Sequence, residues 1–404
     1  MEEMLSTQVG TTVQSGSDSY EVGVESAREA MADMDVDRVD FVQTFIAPEY
    51  DYEECIRGIR SVVGEDTDLI GCSSSGEFGN DRSIHGGVAV ATVASDTIKF
   101  FTGVGENLGA NVNGAIDEAI AEFPDEVDGF PYRSVINLHD GLTGKGERIA
   151  LLTQRKIGVQ TPFAGGGAGD GLEMEETVVF HNGEVYTDAV VLALLASKNE
   201  PKVTVNHGHT PFGPEVSVTK SDDTFVYEID DRPAFEVYKD LIRDRVQERH
   251  GVDVDTLEIG DPLLDDLFTE YNFGIPEGST NIDYKIRWPG FTPSTDGPLT
   301  FAARIPEGAK FQMMESGRES QVKSALLAAV KTEGRVDDLA GAFVYDCVCR
   351  SAILGDDFEK AVSAIDQKLD APFIGFETSG ELYKGDAGSS GFHNSTSVIL
   401  GLPK

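Results

Sequence analysis

The chain is poor in cationic residues: 32 Lys and Arg stand against 71 Asp and Glu, for a formal charge of −39. Nucleic-acid binding needs a basic stripe to neutralise phosphates, and the sequence has none, so a nucleic-acid partner is not expected. Cysteine is scarce too. Four residues (Cys55, Cys72, Cys347, Cys349) in 404 cannot form a disulfide framework and suit a reduced cytoplasm. Cys347 and Cys349 read as neighbours on one strand face, and no CxxC or paired histidine supplies the two further ligands a metal there would need, so none is expected. The longest apolar run, Ala189 to Ala196, is far short of a bilayer span. Met1-Glu2-Glu3-Met4 has neither a basic n-region nor a following apolar stretch, so no signal peptide is read there. A Walker A sequence is also missing, since Gly144-Lys145-Gly146 lacks the surroundings. These absences favour a soluble cytoplasmic protein without membrane insertion.

The rest of the composition is globular, with 40% hydrophobic and 25% charged residues. The acid excess is spread along the chain as a solvated coat, of the kind carried by proteins of a haloarchaeal cytoplasm, where molar salt screens self-repulsion within a few ångströms.

One phrase recurs. Leu69-Ile70-Gly71-Cys72-Ser73-Ser74-Ser75-Gly76-Glu77-Phe78 is matched by Phe373-Ile374-Gly375-Phe376-Glu377-Thr378-Ser379-Gly380-Glu381-Leu382. A weaker third copy is Phe163-Ala164-Gly165-Gly166-Gly167-Ala168-Gly169-Asp170. Each follows a buried-strand pattern, and the glycines permit close backbone approach where the strand breaks.

Around these copies, strand and helix patterns alternate. Helices are read at 25–34, 52–63, 110–123, 147–156, 234–249, 319–331 and 358–369, with strands between them. Gly87–Val93 and Thr97–Val104 read as a hairpin through Ala94-Ser95-Asp96, and His181-Asn182-Gly183-Glu184 as a hairpin turn. The fold class expected is mixed α/β: two related domains of mixed sheets flanked by helices, with a four-layer αββα stacking as one arrangement that fits. Residues 1–20 read as a flexible polar and acidic tail, 21–228 as a first domain and 229–404 as a second.

The order of motifs resembles a family. Leu69 to Glu77, Pro162-Phe163-Ala164-Gly165-Gly166 and Val190–Leu195 resemble the N-terminal FIST domain. Arg232 to Tyr238, Ile305-Pro306-Glu307-Gly308-Ala309, Cys347-Val348-Cys349-Arg350, Gly375 to Glu381 and His393-Asn394-Ser395-Thr396 resemble the C-terminal FIST domain. The resemblance implies an intracellular sensory or signal-transduction module that binds a small ligand such as an amino acid, without catalysis. It also carries the alternative of a haem-binding gas sensor. No output domain is recognisable in the sequence, so a separate signalling partner is expected.

The residues themselves give the site hypotheses. Glu77 and Glu381 offer carboxylates to a ligand amine, or cap backbone N–H groups of their own turns. Arg350, read at a strand end, could take a ligand carboxylate or pair with Glu381. With Gly380, His393 and Asn394 around it, and Gly76 and Ser73 around Glu77, a pocket for an amino acid or small organic acid is expected. No cofactor is required. A third reading makes Ser74 the nucleophile of a partial G-x-S-x-G echo with His139-Asp140, although adjacent strand residues face opposite ways. His207 and His209 form an H-x-H read as a polar loop, and Thr102 to Gly109 reads as a helix-capping turn rather than a dinucleotide loop.

Overall fold

The computed structural model describes residues 5–80, 82–277, 283–386 and 390–404. Buried Val9 and Val13 alternate with polar Gln and Thr to form the first strand, β1 (Gln8–Gln14), antiparallel to residues 88–94. Part of the expected tail, Gln8–Gln14, is therefore an ordered edge strand. Its even-numbered residues face α1, where Gly10 lies against Ala30 and the Thr12 hydroxyl donates to Glu29 at 2.8 Å; the polar composition made it look unfolded in sequence.

A first unit follows: α1 (Ser19–Ala32), β2 (Phe41–Ile46), α2 (Tyr52–Val63), β3 (Asp68–Ser73), the short hairpin β4 (Glu77–Gly79) and β5 (Ser83–Ile84), and β6 (Val88–Ala94). Local chemistry sets these limits. Asp51 caps α2 by accepting the Glu54 amide at 3.1 Å, Cys55, Ile56 and Ile59 bury one face, and Gly64 ends the helix at φ +102°.

The second unit repeats the order: β7 (Ile98–Gly105), α3 (Val112–Ala119), β8 (Tyr132–His139), α4 (Gly146–Ile157), β9 (Phe163–Gly167), the hairpin β10 (Val179–His181) and β11 (Glu184–Tyr186), and β12 (Val190–Ser197). The third begins with β13 (Lys202–His207) and is interrupted at residues 210–315 by an inserted body. That body holds β14 (Thr210–Asp222), β15 (Phe225–Ile229), β16 (Arg232–Pro233), α5 (Ala234–His250), α6 (Pro262–Glu270), β17 (Tyr271–Glu277), β18 (Asp283–Arg287), β19 (Leu299–Thr300) and β20 (Lys310–Glu315). It has an apolar core of its own around Phe235, Tyr238, Phe268, Phe273 and Phe311. The third unit then resumes as α7 (Arg318–Glu333), β21 (Leu339–Cys347), α8 (Val348–Leu354), α9 (Phe358–Leu369), β22 (Phe373–Thr378), the hairpin β23 (Glu381–Lys384) and β24 (Gly391–His393), and β25 (Thr396–Pro403).

Each unit builds most of a six-stranded sheet, and each donates its hairpin to another. The orders are β1-β6-β2-β3-β10-β11, β7-β12-β8-β9-β23-β24 and β13-β25-β21-β22-β4-β5. The first unit thus completes the sheet of the third, the third that of the second, and the second that of the first. In all three the βαβ pair is parallel and the donated strand antiparallel. The mixed α/β class is as expected, but the layering is not αββα. The three sheets turn one face each to a common core, with Phe45 stacked on Phe376 at 4.3 Å and Gln43 Nε2 donating to the Tyr345 hydroxyl at 3.0 Å. The helices cover the outer faces in three separate clusters.

The expected hairpin through Ala94-Ser95-Asp96 is instead a crossover: β6 pairs within the first sheet and β7 within the second. Ser95 holds the crossing by donating its amide to Asp40 at 2.8 Å and accepting the Ile98 amide at 2.9 Å. The expected domain boundary falls within the inserted body.

Candidate ligand-binding site

The three copies of the repeated phrase meet where β3, β9 and β22 end. Gly71, Gly165 and Gly375 occupy the same register in their sheets, opposite Thr44, Asn137 and Val344. A Cβ there would lie 2.1 Å from the Thr44 carbonyl, 1.8 Å from the Asn137 carbonyl or 2.4 Å from the Phe78 ring, so close approach dictates glycine. Beyond these glycines, the strand ends bond in a ring. Ser75 donates its amide to the Glu377 carbonyl (3.3 Å), Ser379 to Gly167 (2.9 Å) and Gly169 to Ser73 (3.0 Å). A second set runs from Glu377 to Gly76 (2.8 Å), Gly167 to Gly380 (2.9 Å) and Ser73 to Val178 (3.0 Å).

The two phrase glutamates hold this junction together. Glu77 is buried, takes the Ser74 hydroxyl and accepts the Gly87 amide at 2.8 Å; burial pushes its carboxyl up to about 8. Glu381, also buried, accepts from the Thr378 hydroxyl (2.5 Å), the Thr396 amide (3.0 Å) and the Thr396 hydroxyl (2.7 Å), and burial raises it well above the carboxylate range. Both carboxyls bind their own turns to the strand that follows. At the equivalent register the second unit has Val179.

Arg350 is not on a strand. The chain turns into α8 at Val348, and Arg350, fully buried, donates to Asp346 Oδ1 at 2.7 Å and to Gln321 and Ser324 on α7. Its five donors face the helix layer, so neither the Arg350–Glu381 pair nor a shared zwitterion site forms. Cys349 likewise sits on α8, two residues past the strand that ends at Cys347, so the two do not share a strand face. Ser73 accepts the Val178 amide at 3.1 Å, and Gly76 abuts the Glu377 carboxylate, which pairs with His85 at 3.3 Å. His393 lies edge-on to Tyr383 at 5.8 Å. Ser74 is held by Glu77, while Asp140 is taken up by Thr177 (2.6 Å), Leu142 (3.0 Å) and Asp188 (2.7 Å), so Ser74, His139 and Asp140 make no triad.

Two hollows flank the junction. One is a cleft of about 960 Å³ lined by Glu49, Ser75, His85, Asp170, Asp356 and Glu377 among others. The second is a cavity of about 660 Å³ between the junction and the inserted body. His139, Ser379, Gly380 and Asn394 form its junction side, and Trp288 and Phe291 its inserted side. Leu172, Val348 and Ala352 line both hollows. Of the expected site residues, Gly380 and Asn394 reach the cavity, and the Trp288 amide meets Asn394 Oδ1 at 3.5 Å. Trp288, Phe291, His139 and the Leu172 loop were not singled out as binding residues. No short motif marks them, because the cavity's walls come from segments far apart in sequence, the strand ends and the inserted body.

Residues 40–232 match the FIST N domain and residues 234–384 the FIST C domain. The chain belongs to the FIST family. FIST domains are associated with signal transduction and the sensing of small ligands, rather than with catalysis. An uncharacterized protein of Methanocaldococcus jannaschii is 24% identical over 199 residues, which is 49% of this chain. The match spans 38% of that relative's length. Among the described residues no helix is long and apolar enough to cross a membrane.

The FIST N and FIST C segments divide at the start of α5, inside the inserted body. The FIST N segment gives the cavity His139, Leu142, Leu172 and Met174, and the FIST C segment gives it Trp288, Phe291, Ser379 and Gly380.

Proposed function

We propose that this FIST protein is an intracellular sensor that binds a small molecule in the 660 Å³ cavity and reports occupancy to a separate signalling partner through the inserted body. One observation carries the reading: the cavity's walls come from two bodies with distinct apolar cores, the strand-end junction and the insert. A ligand touching both favours the closed arrangement by its differential affinity, which any ligand-driven signal requires. The volume is that of an ordinary small-molecule site.

Amino acids and small organic acids remain within this proposal only if amide and hydroxyl donors such as Asn394 and Ser379 replace Arg350 as carboxylate partners. A protein partner suits the acidic surface better than nucleic acid.

Trp288 is the chain's single tryptophan and lines the cavity, so its emission reports occupancy directly. A metabolite library screened in molar KCl should yield compounds that raise the melting temperature and alter Trp288 emission together, with both responses weakened in Asn394→Ala. A broad library producing neither response rejects the proposal.

A further inference from the structure

We infer that the cavity takes an uncharged, largely aromatic small molecule rather than an amino acid, a carboxylate or an organic cation; this rests on the ligand-binding reading above. Among the described residues no Lys or Arg lines the cavity, so a carboxylate would be desolvated without a counter-ion. The single acid on its wall, Asp265, is exposed, and a cation there would meet a partner weakened by solvent.

Three exposed large apolar side chains meet at this place. Leu172, Met174 and Phe291 are 53%, 50% and 42% exposed, and all three line the cavity. Solvent-exposed apolar side chains converging on a hollow mark a binding surface. Leu172 and Met174 are moreover held at φ +69° and +58°, a region that bulky side chains avoid. Asp170 fastens the loop by accepting the Glu175 and Glu176 amides at 2.8 and 3.3 Å, and so holds both side chains toward solvent at the cavity. Trp288 and Phe291 add an edge-to-face pair with ring centroids 4.9 Å apart.

Among the described residues, two polar atoms on these walls lack partners. His139, 2% exposed, has no hydrogen bond at Nδ1, and Trp288 has none at Nε1. Burial drives the imidazole down to about 3, so it faces a ligand as a neutral group. A hydroxyl or carbonyl on an aromatic body would satisfy both nitrogens without bringing a charge into the cavity.

The test uses the full chain in molar KCl, with neutral N-phenyl-1-naphthylamine as fluorescent reporter and four competitors built on one ring: 2-phenylethanol, phenylacetate, 2-phenylethylammonium and L-phenylalanine. The reporter should bind saturably, and 2-phenylethanol should displace it at least tenfold more effectively than each charged congener. Phe291→Ala, half-exposed in the native fold, should weaken both by about tenfold while leaving the melting temperature of the unliganded protein unchanged. Cys349, the half-buried thiol on the same wall, should be alkylated by N-ethylmaleimide more slowly when 2-phenylethanol is bound. If a charged congener competes as well as the alcohol, or Cys349 is not protected, the inference is overturned while ligand binding stands. If neither the reporter nor any congener binds, the ligand-binding reading falls with it.

Discussion

Glu77 accepts the Gly87 amide at 2.8 Å from inside the protein, and so ties the first strand-end turn to the start of β6. Burial raises its carboxyl from 4.5 to about 8, so the folded state holds a proton that the unfolded chain has released across that interval. Its contribution to stability is full below pH 4.5 and is lost as pH rises through about 8, by about 1.4 kcal/mol per pH unit between. Glu77→Gln keeps a neutral hydrogen-bonding group in place. Its urea midpoint should therefore gain on wild type between pH 5 and 8 and be higher at pH 9; parallel pH profiles for the two proteins would refute the assignment.

Arg350→Ala should be a stability variant. It strands Asp346, 2% exposed, without its counter-charge, at a cost of about 3–5 kcal/mol. The double variant Asp346→Leu/Arg350→Met should recover part of that loss in equilibrium denaturation. An Arg350→Ala protein of native stability would show that the pair is not structural.

Gly71→Ala and Gly165→Ala should each cost about 3 kcal/mol or more, because the new methyl meets a backbone carbonyl of the adjacent strand that cannot yield. Gly144 is the control: it sits at φ +63° with nothing within 4 Å of its Cβ position, so Gly144→Ala should cost only about 1 kcal/mol. Similar losses at all three positions would contradict the close-approach account.

With a charge of −39, the melting temperature should climb as KCl rises from 0.1 to 1 M, over which the screening length falls from about 10 Å to about 3 Å. A flat or falling profile would count against an acidic coat matched to high salt.

Much of the secondary structure was legible because it is written in local periodicity and caps. The helix limits Tyr52–Val63 read in sequence are those of α2. The repeated phrase was legible as a strand end with close backbone approach, since its glycines are dictated by neighbours a few ångströms away. What escaped was partner choice. The segments that form β6 and β7 look like one hairpin because alternation says nothing about which sheet a strand joins. Cys347-Val348-Cys349-Arg350 has strand-like composition, yet the buried Asp346–Arg350 pair at helical spacing belongs to a turn into α8. The glutamates were visible as a pair with two readings, ligand partners or caps of backbone N–H groups; burial, which a sequence does not display, goes with the second, in which they bond Gly87 and Thr396.

The exchange of hairpins has a kinetic consequence. Each sheet is finished by a segment from a different unit, so no unit can reach its full complement of backbone hydrogen bonds before the others have formed. β4 must find β22, and β23 must find β9, across most of the chain length. Such non-local closure slows folding and leaves the three sheets without independent intermediates of native stability. The three-sheet core should unfold as one transition spanning both FIST segments, with a single slow refolding phase. The inserted body, with its separate apolar core, is the part free to loosen first.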